Sequence, residues 1–369
     1  MTSAHDRERR ERAIATARRF AQGAAVVPVA DRLRALADAA ESPLPDLYGE
    51  GGDLDGLERE VAQVLGKPAA VFMPSGTMAQ QCALRVWADR TSRDAVAVHA
   101  LSHLVVHEED ALEVLHRIRL EPIAREHRPL TVEDLVTAPG PYAALCVELP
   151  LRDAGYLLPS WEDLVDLCAA ARDQDIPVHL DGARLWESQP FYDRGLAEIA
   201  DLADTVYVSF YKGLGGIAGA ALAGPQDVID AARHWQHRHG GTLFGQYPYV
   251  VAARRGLERL EDFQAYAVRA RELAVALGAV PGLRVHPQPP HTNAFVLYAE
   301  AEAEALTEAA LTHAERSHDW VIGRVGAADV PGWSTTEFTV GPATMEWSVS
   351  ELVEAVTAIV SSCERPRSE

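Results

Sequence analysis

The sequence predicts an α/β fold built on a mostly parallel sheet, and three observations predict it. Short apolar strands alternate with amphipathic helical stretches from Ala69 to Ala223, an order that covers both faces of a sheet with helices. Those strands run into chemically distinctive turns at Ser75-Gly76-Thr77, at Asp181-Gly182-Ala183-Arg184 and at Lys212. Open α/β sheets bind ligands at the carboxyl ends of their strands, where such turns lie. Beyond Gly240-Gly241 the pattern changes to long helix, strand pair and closing helix, the order of a separate, smaller α+β domain. The expected division is an N-terminal helical segment over 1–45, a large domain over 46–250 and a C-terminal domain over 251–369.

Taken in order, ERAIATARRF and VADRLRALADAA read as an amphipathic helical lead that Pro43 and Pro45 end. A glycine-rich turn after Asp46 leads into a helix with Leu54, Leu57, Val61, Val64 and Leu65 on one face. Ala69 to Met73 is a short strand, followed by Pro74-Ser75-Gly76-Thr77 and the helix MAQQCALRVWADR. AVAVHA is the next strand. LSHLVVHEEDALEVL reads as a helix, with His103 and His107 at i and i+4 on one face. AALCVEL is a strand, and PSWEDLVDLCAAARDQD a helix capped by Ser160 with Asp163 in its first turn. Ile176 to Leu180 is a strand that ends in Asp181.

The stretch TVYVSFYKGLGGIAGAALAG, Thr205 to Gly224, organises the rest. Val206, Val208 and Phe210 alternate with Tyr207 and Ser209, and the chain then breaks into Gly213, Gly215, Gly216 and Gly219 with Lys212 at the junction. Past Gly241, PYVVAARRGLERLEDFQAYAVRARELAVALGAV is expected as one long helical stretch. The strands LRVHP and TNAFVLYA, the helix EAEALTEAALTHAERS, the strand-rich WVIGRV and STTEFTVG, and the helix SVSELVEAVTAIVSSC complete the chain.

Composition narrows the function classes. The 369 residues are 48% hydrophobic and 24% charged, as in folded soluble proteins, and long enough for two domains. A formal net charge of -20 argues against nucleic acid or an anionic membrane as partner, since both need excess Lys and Arg. No apolar run approaches a membrane span, and the charged first residues lack the apolar core of a signal peptide, so a cytoplasmic location is expected. Cys82, Cys146, Cys168 and Cys363 show no CxxC pairing, and His103, His107 and Glu108 lack a third ligand at suitable spacing. No metal is expected.

The turns carry the chemistry. Strand, Ser75-Gly76-Thr77 and helix form an anion cradle: free N–H groups, the positive end of the helix dipole and two hydroxyls face the same point. An ordinary N-cap with a turn glycine reads equally well from these residues alone. Asp181 at a strand end can pair with a protonated ring nitrogen. Lys212 at the end of a buried strand loses part of its preference for the charged form, which suits an amine that must attack an aldehyde, while a surface lysine in a glycine-rich turn reads equally well from this stretch alone. His103 suits a ring stacked on a flat cofactor better than it suits a metal.

These stretches, with Tyr48-Gly49-Glu50, GKPAAVFMPSGTMAQ, His103 with Glu108, HLDGARLW and KGLGGIAG in order over roughly Asp46 to Gly241, resemble the threonine aldolase / β-eliminating lyase family of pyridoxal-phosphate enzymes. The resemblance implies fold type I, with a seven-stranded, mostly parallel sheet in the large domain, and pyridoxal 5'-phosphate as cofactor. It implies that Ser75, Gly76 and Thr77 hold the phosphate, His103 stacks on the ring, and Asp181 pairs with the pyridine nitrogen. Arg184 would reach the ring hydroxyl or the substrate carboxylate, and Lys212 would carry the aldehyde. Tyr48 would lie near a subunit interface and the substrate, and His239-Gly240-Gly241 would approach a partner's phosphate. A homodimer or homotetramer with shared active sites follows from the same resemblance.

The substrate half departs from the family. Its aldolases carry Ser-Asp-Thr near the site where this chain has GAAVVPVAD, and Thr-His-Asn where this chain has Leu149-Pro150-Leu151-Arg152-Asp153. The family's carboxylate-clamping arginine falls near Glu337-Phe338-Thr339, and Tyr211 replaces the serine before the lysine. Arg152 reads equally as a replacement clamp and as a salt-bridge partner of Asp153 or Glu148. The implied reaction is aldol cleavage of a β-hydroxy-α-amino acid to glycine and an aldehyde, with His103 or a water it orders taking the hydroxyl proton and threonine a poor substrate. The alternatives are β-elimination started by Lys212 and a catalytically silent homologue that serves as an assembly partner.

Overall fold

The computed structural model describes residues 4–363, which fall into two compact units: residues 30–261, and the segment up to Val29 together with the chain from Asp262 on. The boundaries drawn from sequence at 45 and 250 therefore shift, for local reasons. The helix Ala4–Thr16 lies along the helix Ala303–Ser317, where Arg9 binds Glu315 through Nε at 2.6 Å and Glu308 through Nη1 at 2.6 Å. Arg19 and Phe20 then pair in parallel with Asp319 and Trp320. Short strands of this kind form only beside a partner. At the other boundary, the helix Tyr247–Leu257 stays with the large unit, with Leu214 packed against Gly256. The long helical stretch expected here is two helices, Tyr247–Leu257 and Asp262–Gly278, interrupted at Glu258–Glu261.

Seven strands form the sheet of the large unit: β1 (Ala69–Met73), β2 (Ala95–His99), β3 (Arg119–Ala124), β4 (Ala144–Glu148), β5 (Val178–Gly182), β6 (Thr205–Ser209) and β7 (Ala220–Gly224). Their order is β1-β7-β6-β5-β4-β2-β3, parallel throughout except that β7 runs antiparallel to both β1 and β6. Every residue of β1, β2, β5, β6 and β7 is buried, the pattern of strands covered on both faces. β3 is absent from the sequence reading because RLEPIA mixes charge with a proline. As the outermost strand it tolerates Pro122, whose missing N–H costs no interior ladder bond.

Helices α1 (Leu54–Val64), α2 (Gly76–Thr91), α3 (His103–Val106), α4 (Trp161–Arg172), α5 (Leu185–Tyr192) and α6 (Gln226–Arg238) flank the sheet. α1 buries Leu54, Leu57 and Val61 as its periodicity requires. The Ser160 side chain caps α4 by accepting the Asp163 N–H at 3.1 Å. The expected helix from Leu101 to Leu115 breaks in two: α3 ends at Val106, and Glu109 and Asp110 take left-handed conformations before Ala111–His116. Successive positive-φ residues are incompatible with a continuing right-handed helix. The smaller unit carries a four-stranded antiparallel sheet, ordered Val325–Ala327, Ser334–Thr339, Ala294–Ala299 and Leu283–His286. Among the described residues no helix is long and apolar enough to cross a membrane.

His179, inside β5, gives the large unit a pH dependence. Its ring is fully buried, Nδ1 lies 2.9 Å from Thr205 Oγ1, and burial pushes its pKa down from 6.5 to about 4. The folded state therefore refuses a proton that the unfolded chain accepts. The stability it leaves intact above pH 6.5 is lost as pH falls toward 4, by about 3 kcal/mol at most. Urea denaturation across that window, compared with His179→Leu, is expected to show a shallower decline in the variant. An unchanged slope would remove His179 as the cause.

Candidate active site

Strand register builds the floor of the site. β4 pairs with β5 so that Glu148 lies opposite Asp181, and β5 pairs with β6 so that Asp181 lies opposite Tyr207. Residues in register on neighbouring strands point to one face, so the three side chains stand abreast. Asp181 is buried, with Oδ2 accepting the Gln80 Nε2–H at 2.7 Å and Oδ1 accepting the Ala183 N–H at 3.1 Å. Hydrogen bonds to a charged acceptor contribute about 1.5–3 kcal/mol each, so the two donors fix the orientation of the carboxylate.

Glu148 ties two turns to that floor. Its Oε2 accepts the His103 N–H at 2.8 Å, and its Oε1 accepts the Arg152 N–H at 3.2 Å. Burial first, and then the charge of Asp181, hold its carboxyl above the usual range. His103 begins α3 at the end of one of these tethers. Its Nδ1 lies 3.2 Å from Oε1 of the buried Glu108, and this bond, against the cost of burial, raises the imidazole's pKa. The charges of Asp181 and Lys212 also act on His103, in opposite senses, so the structure brings these three predicted residues together.

Lys212 follows β6 in the glycine loop. Burial, and next the positive charge of Arg184, lower its pKa from the ordinary lysine value, while Asp181, Glu148 and Glu187 pull the other way. Arg184 precedes the first turn of α5 and holds its guanidinium 5.4 Å from the centre of the Tyr156 ring. One turn on, buried Glu187 accepts the Gly213 N–H through Oε1 at 3.1 Å and so fixes the backbone next to Lys212.

The cradle sits at the start of α2. Ser75 is the N-cap in extended conformation, its Oγ accepting the Met78 N–H at 3.3 Å. Gly76 is buried against Tyr207: a Cβ there would stand 2.0 Å from the phenol oxygen. Only glycine fits, and it lets the ring of Tyr207 lie directly against the helix terminus. Thr77, half-buried, completes the turn.

The other predicted residues are placed differently. Arg152 pairs with Asp153, Nη1 to Oδ1 at 2.9 Å, and Nη1 lies 3.4 Å from His107 Nε2. Tyr48 is 64% exposed, with its ring edge-on to Phe244 at 5.3 Å, and it borders a cavity of about 240 Å³ shared with Glu58, Arg233 and Thr242. His239 Nε2 meets His116 Nε2 at 3.0 Å, and Gly241 lies against Met78 in the first turn of α2. Among the described residues no group of three or more His, Cys, Asp or Glu is placed to hold a metal.

Sequence reasoning missed Gln80, Glu187 and Tyr207, and assigned Glu148 no tethering role. Glu187 carried a usable signal, lying three residues after Arg184 on the same helix face. Gln80 carried none, because its partner Asp181 is remote in sequence.

The beta-eliminating lyase family profile matches residues 10–302. A candidate low-specificity L-threonine aldolase of Schizosaccharomyces pombe is 25% identical over 272 residues, covering 70% of this chain and 71% of its own length. A crystal structure from Exiguobacterium sp. 255-15, named as a candidate aromatic amino acid beta-eliminating lyase/threonine aldolase, superposes with a TM-score of 0.90. It is 36% identical and covers 96% of this chain and 99% of its own. A candidate L-allo-threonine aldolase of Listeria monocytogenes EGD-E gives a TM-score of 0.89 and 35% identity over the same shares.

Gly76→Ala tests the cradle. The added methyl must displace the buried Tyr207 ring, and overpacking of that kind costs about 1–3 kcal/mol. A lower thermal midpoint and at least tenfold weaker binding of pyridoxal phosphate to the apoprotein are expected, read by fluorescence titration. Unaltered affinity would remove Gly76 from the phosphate site.

Proposed function

The chain belongs to the beta-eliminating lyase family, whose members use pyridoxal 5'-phosphate, and from that premise we propose that it cleaves the Cα–Cβ bond of a β-hydroxy-α-amino acid to give glycine and an aldehyde. The observation that supports this most is the convergence of Lys212, Asp181 and His103 beside the N-terminus of α2 in one unit. Similarity to proteins named as threonine aldolases directs the choice of bond.

The residues present fit the cofactor by the chemistry of their donors. Ser75, Gly76 and Thr77 would hold the phosphate with backbone N–H groups and hydroxyls at a helix N-terminus. Asp181, buried and already oriented by Gln80 and Ala183, would keep the ring nitrogen protonated. Bound there, pyridoxal phosphate supplies a conjugated cation into which the electrons of a breaking bond delocalise.

The chain's own groups do the rest. Lys212 is shifted toward the neutral amine that attacks an aldehyde. His103, fixed at its backbone by Glu148 and at its ring by Glu108, would cover one face of the cofactor. Arg184, whose positive charge is felt by Lys212, would bind the substrate carboxylate or the ring hydroxyl. A homodimer or homotetramer with shared active sites, to which Tyr48 and His239-Gly240-Gly241 would contribute, and a cytoplasmic location belong to the same proposal.

Purified holoenzyme incubated with β-hydroxy amino acids, with carbonyl and amine products both identified, tests the reaction. Glycine with an aldehyde is expected; a keto acid with ammonia would establish β-elimination instead, and no turnover of any amino acid would favour the silent homologue. Lys212→Ala is expected to abolish the yellow colour of the holoenzyme, and borohydride reduction of the parent to place the pyridoxyl group on Lys212. A label mapped to another residue would overturn that assignment. Asp181→Asn is expected to bind cofactor and lose at least a hundredfold in kcat, because an amide cannot hold the proton on the ring nitrogen. Turnover within a few-fold of the parent would remove Asp181 from that role.

A further inference from the structure

The segment that leaves the family pattern, Leu149 to Asp153, is brought against the end of α3, and there it builds a second histidine–carboxylate pair. His107 Nε2 lies 2.6 Å from Asp153 Oδ2, while the other oxygen of Asp153 binds Arg152 Nη1 at 2.9 Å. The His107 ring stands 5.2 Å from that of His103 at an interplanar angle of 48°, and 38% of its side chain is accessible. We propose that His107, rather than His103, accepts the proton of the substrate's β-hydroxyl, and that Arg152 and Asp153 position it.

The division of labour follows from what each imidazole is already committed to. His103 spends Nδ1 on the buried Glu108, and that bond together with Asp181 favours its protonated form. The same ring is the one proposed to lie flat over the cofactor, so its face rather than a lone pair would meet the substrate. His107 is held from its other nitrogen: Asp153 contacts Nε2 at 2.6 Å, and with the ring proton donated there Nδ1 would be the accepting nitrogen, the orientation of a general base with its carboxylate. A β-hydroxyl lies beyond Cα, beside the group that covers the cofactor, and His107 stands beside His103.

Arg152 is accounted for as well. Its backbone N–H is fixed by Glu148 and its guanidinium holds Asp153, so it acts on His107 through the carboxylate. In the step itself, the O–H and Cα–Cβ bonds break, a C=O π bond forms at Cβ, and the proton passes to His107 Nδ1. The electron pair of the broken bond stays with Cα, where delivery of a proton completes glycine. No oxidant or reductant is required.

This rests on the aldol reading above, and the experiment separates the two. Holoenzyme of the parent, His107→Gln and Asp153→Asn would be assayed for aldehyde release from β-phenylserine and for exchange of the glycine α-proton in D2O, which needs no hydroxyl acceptor. In His107→Gln the ratio of cleavage to exchange is expected to fall at least thirtyfold, with KM within threefold of the parent and the cofactor spectrum retained. Asp153→Asn is expected to fall part of the way.

Nitrogen-15 NMR of the apoprotein is expected to show the neutral His107 ring protonated on Nε2, and added imidazole to restore cleavage in His107→Ala. If cleavage and exchange fall together, or the ring proton sits on Nδ1, His107 is structural and the proposal is overturned. If Arg152→Ala raises KM strongly with kcat intact, Arg152 is a carboxylate clamp and its positioning role is overturned. A parent that exchanges glycine but releases no aldehyde from any β-hydroxy amino acid overturns the aldol reading itself, and this inference with it.

Discussion

Parallel pairing of β4, β5 and β6 is the constraint on which the site depends. It sets Glu148, Asp181 and Tyr207 abreast on one face of the sheet, and a slip of one residue would turn each to the opposite face. The fully buried β5 and β6 enforce that register, because their apolar residues fit only one way between the covering helices. Each member of the row then anchors something else. Tyr207 abuts the first turn of α2, Asp181 is oriented by Gln80 from the same helix, and Glu148 tethers the turns that carry His103 and Arg152.

Electrostatics make this row demanding to build. Two carboxyls stand side by side, and a third, Glu187, is buried near Lys212. Isolated buried charges are costly, and like charges more so. The structure offsets the cost in different ways: Asp181 accepts hydrogen bonds from two donors, whereas Glu148 is pushed toward its neutral form. Lys212 is moved toward neutrality by burial and by Arg184. Glu148 and Lys212, on one small floor, are thus both moved toward their neutral forms, a perturbation of the kind that clusters at functional sites.

The site has two halves with different origins in the chain. The helix-start turn Ser75–Thr77, strand-end Asp181 and loop Lys212 are each local, a strand followed by a turn of characteristic residues. The side proposed to meet the substrate is assembled from segments remote in sequence: α3 and its C-terminal turn on one hand, Leu149–Asp153 on the other. There the His103–Glu108 and His107–Asp153 pairs stand side by side, each imidazole oriented by its own carboxylate.

The sequence by itself determined the strand–helix alternation, the turns at Ser75–Thr77, Asp181 and Lys212, and the caps at Ser160 and Ser75. All of these are set by neighbours within a few residues, through periodicity, helix capping and backbone N–H groups left free at a helix start. Only the tertiary structure decided what depends on distant partners. It placed β3 at the sheet edge, where Pro122 does no harm. It joined the first helix to the smaller unit through Arg9, and it split two expected helices where backbone conformation or packing interrupted them. The Gln80–Asp181 bond spans 101 positions, and the His107–Asp153 bond 46. A hydrogen bond between residues so far apart leaves no period in the sequence, so it becomes visible only when the sheet fixes both ends.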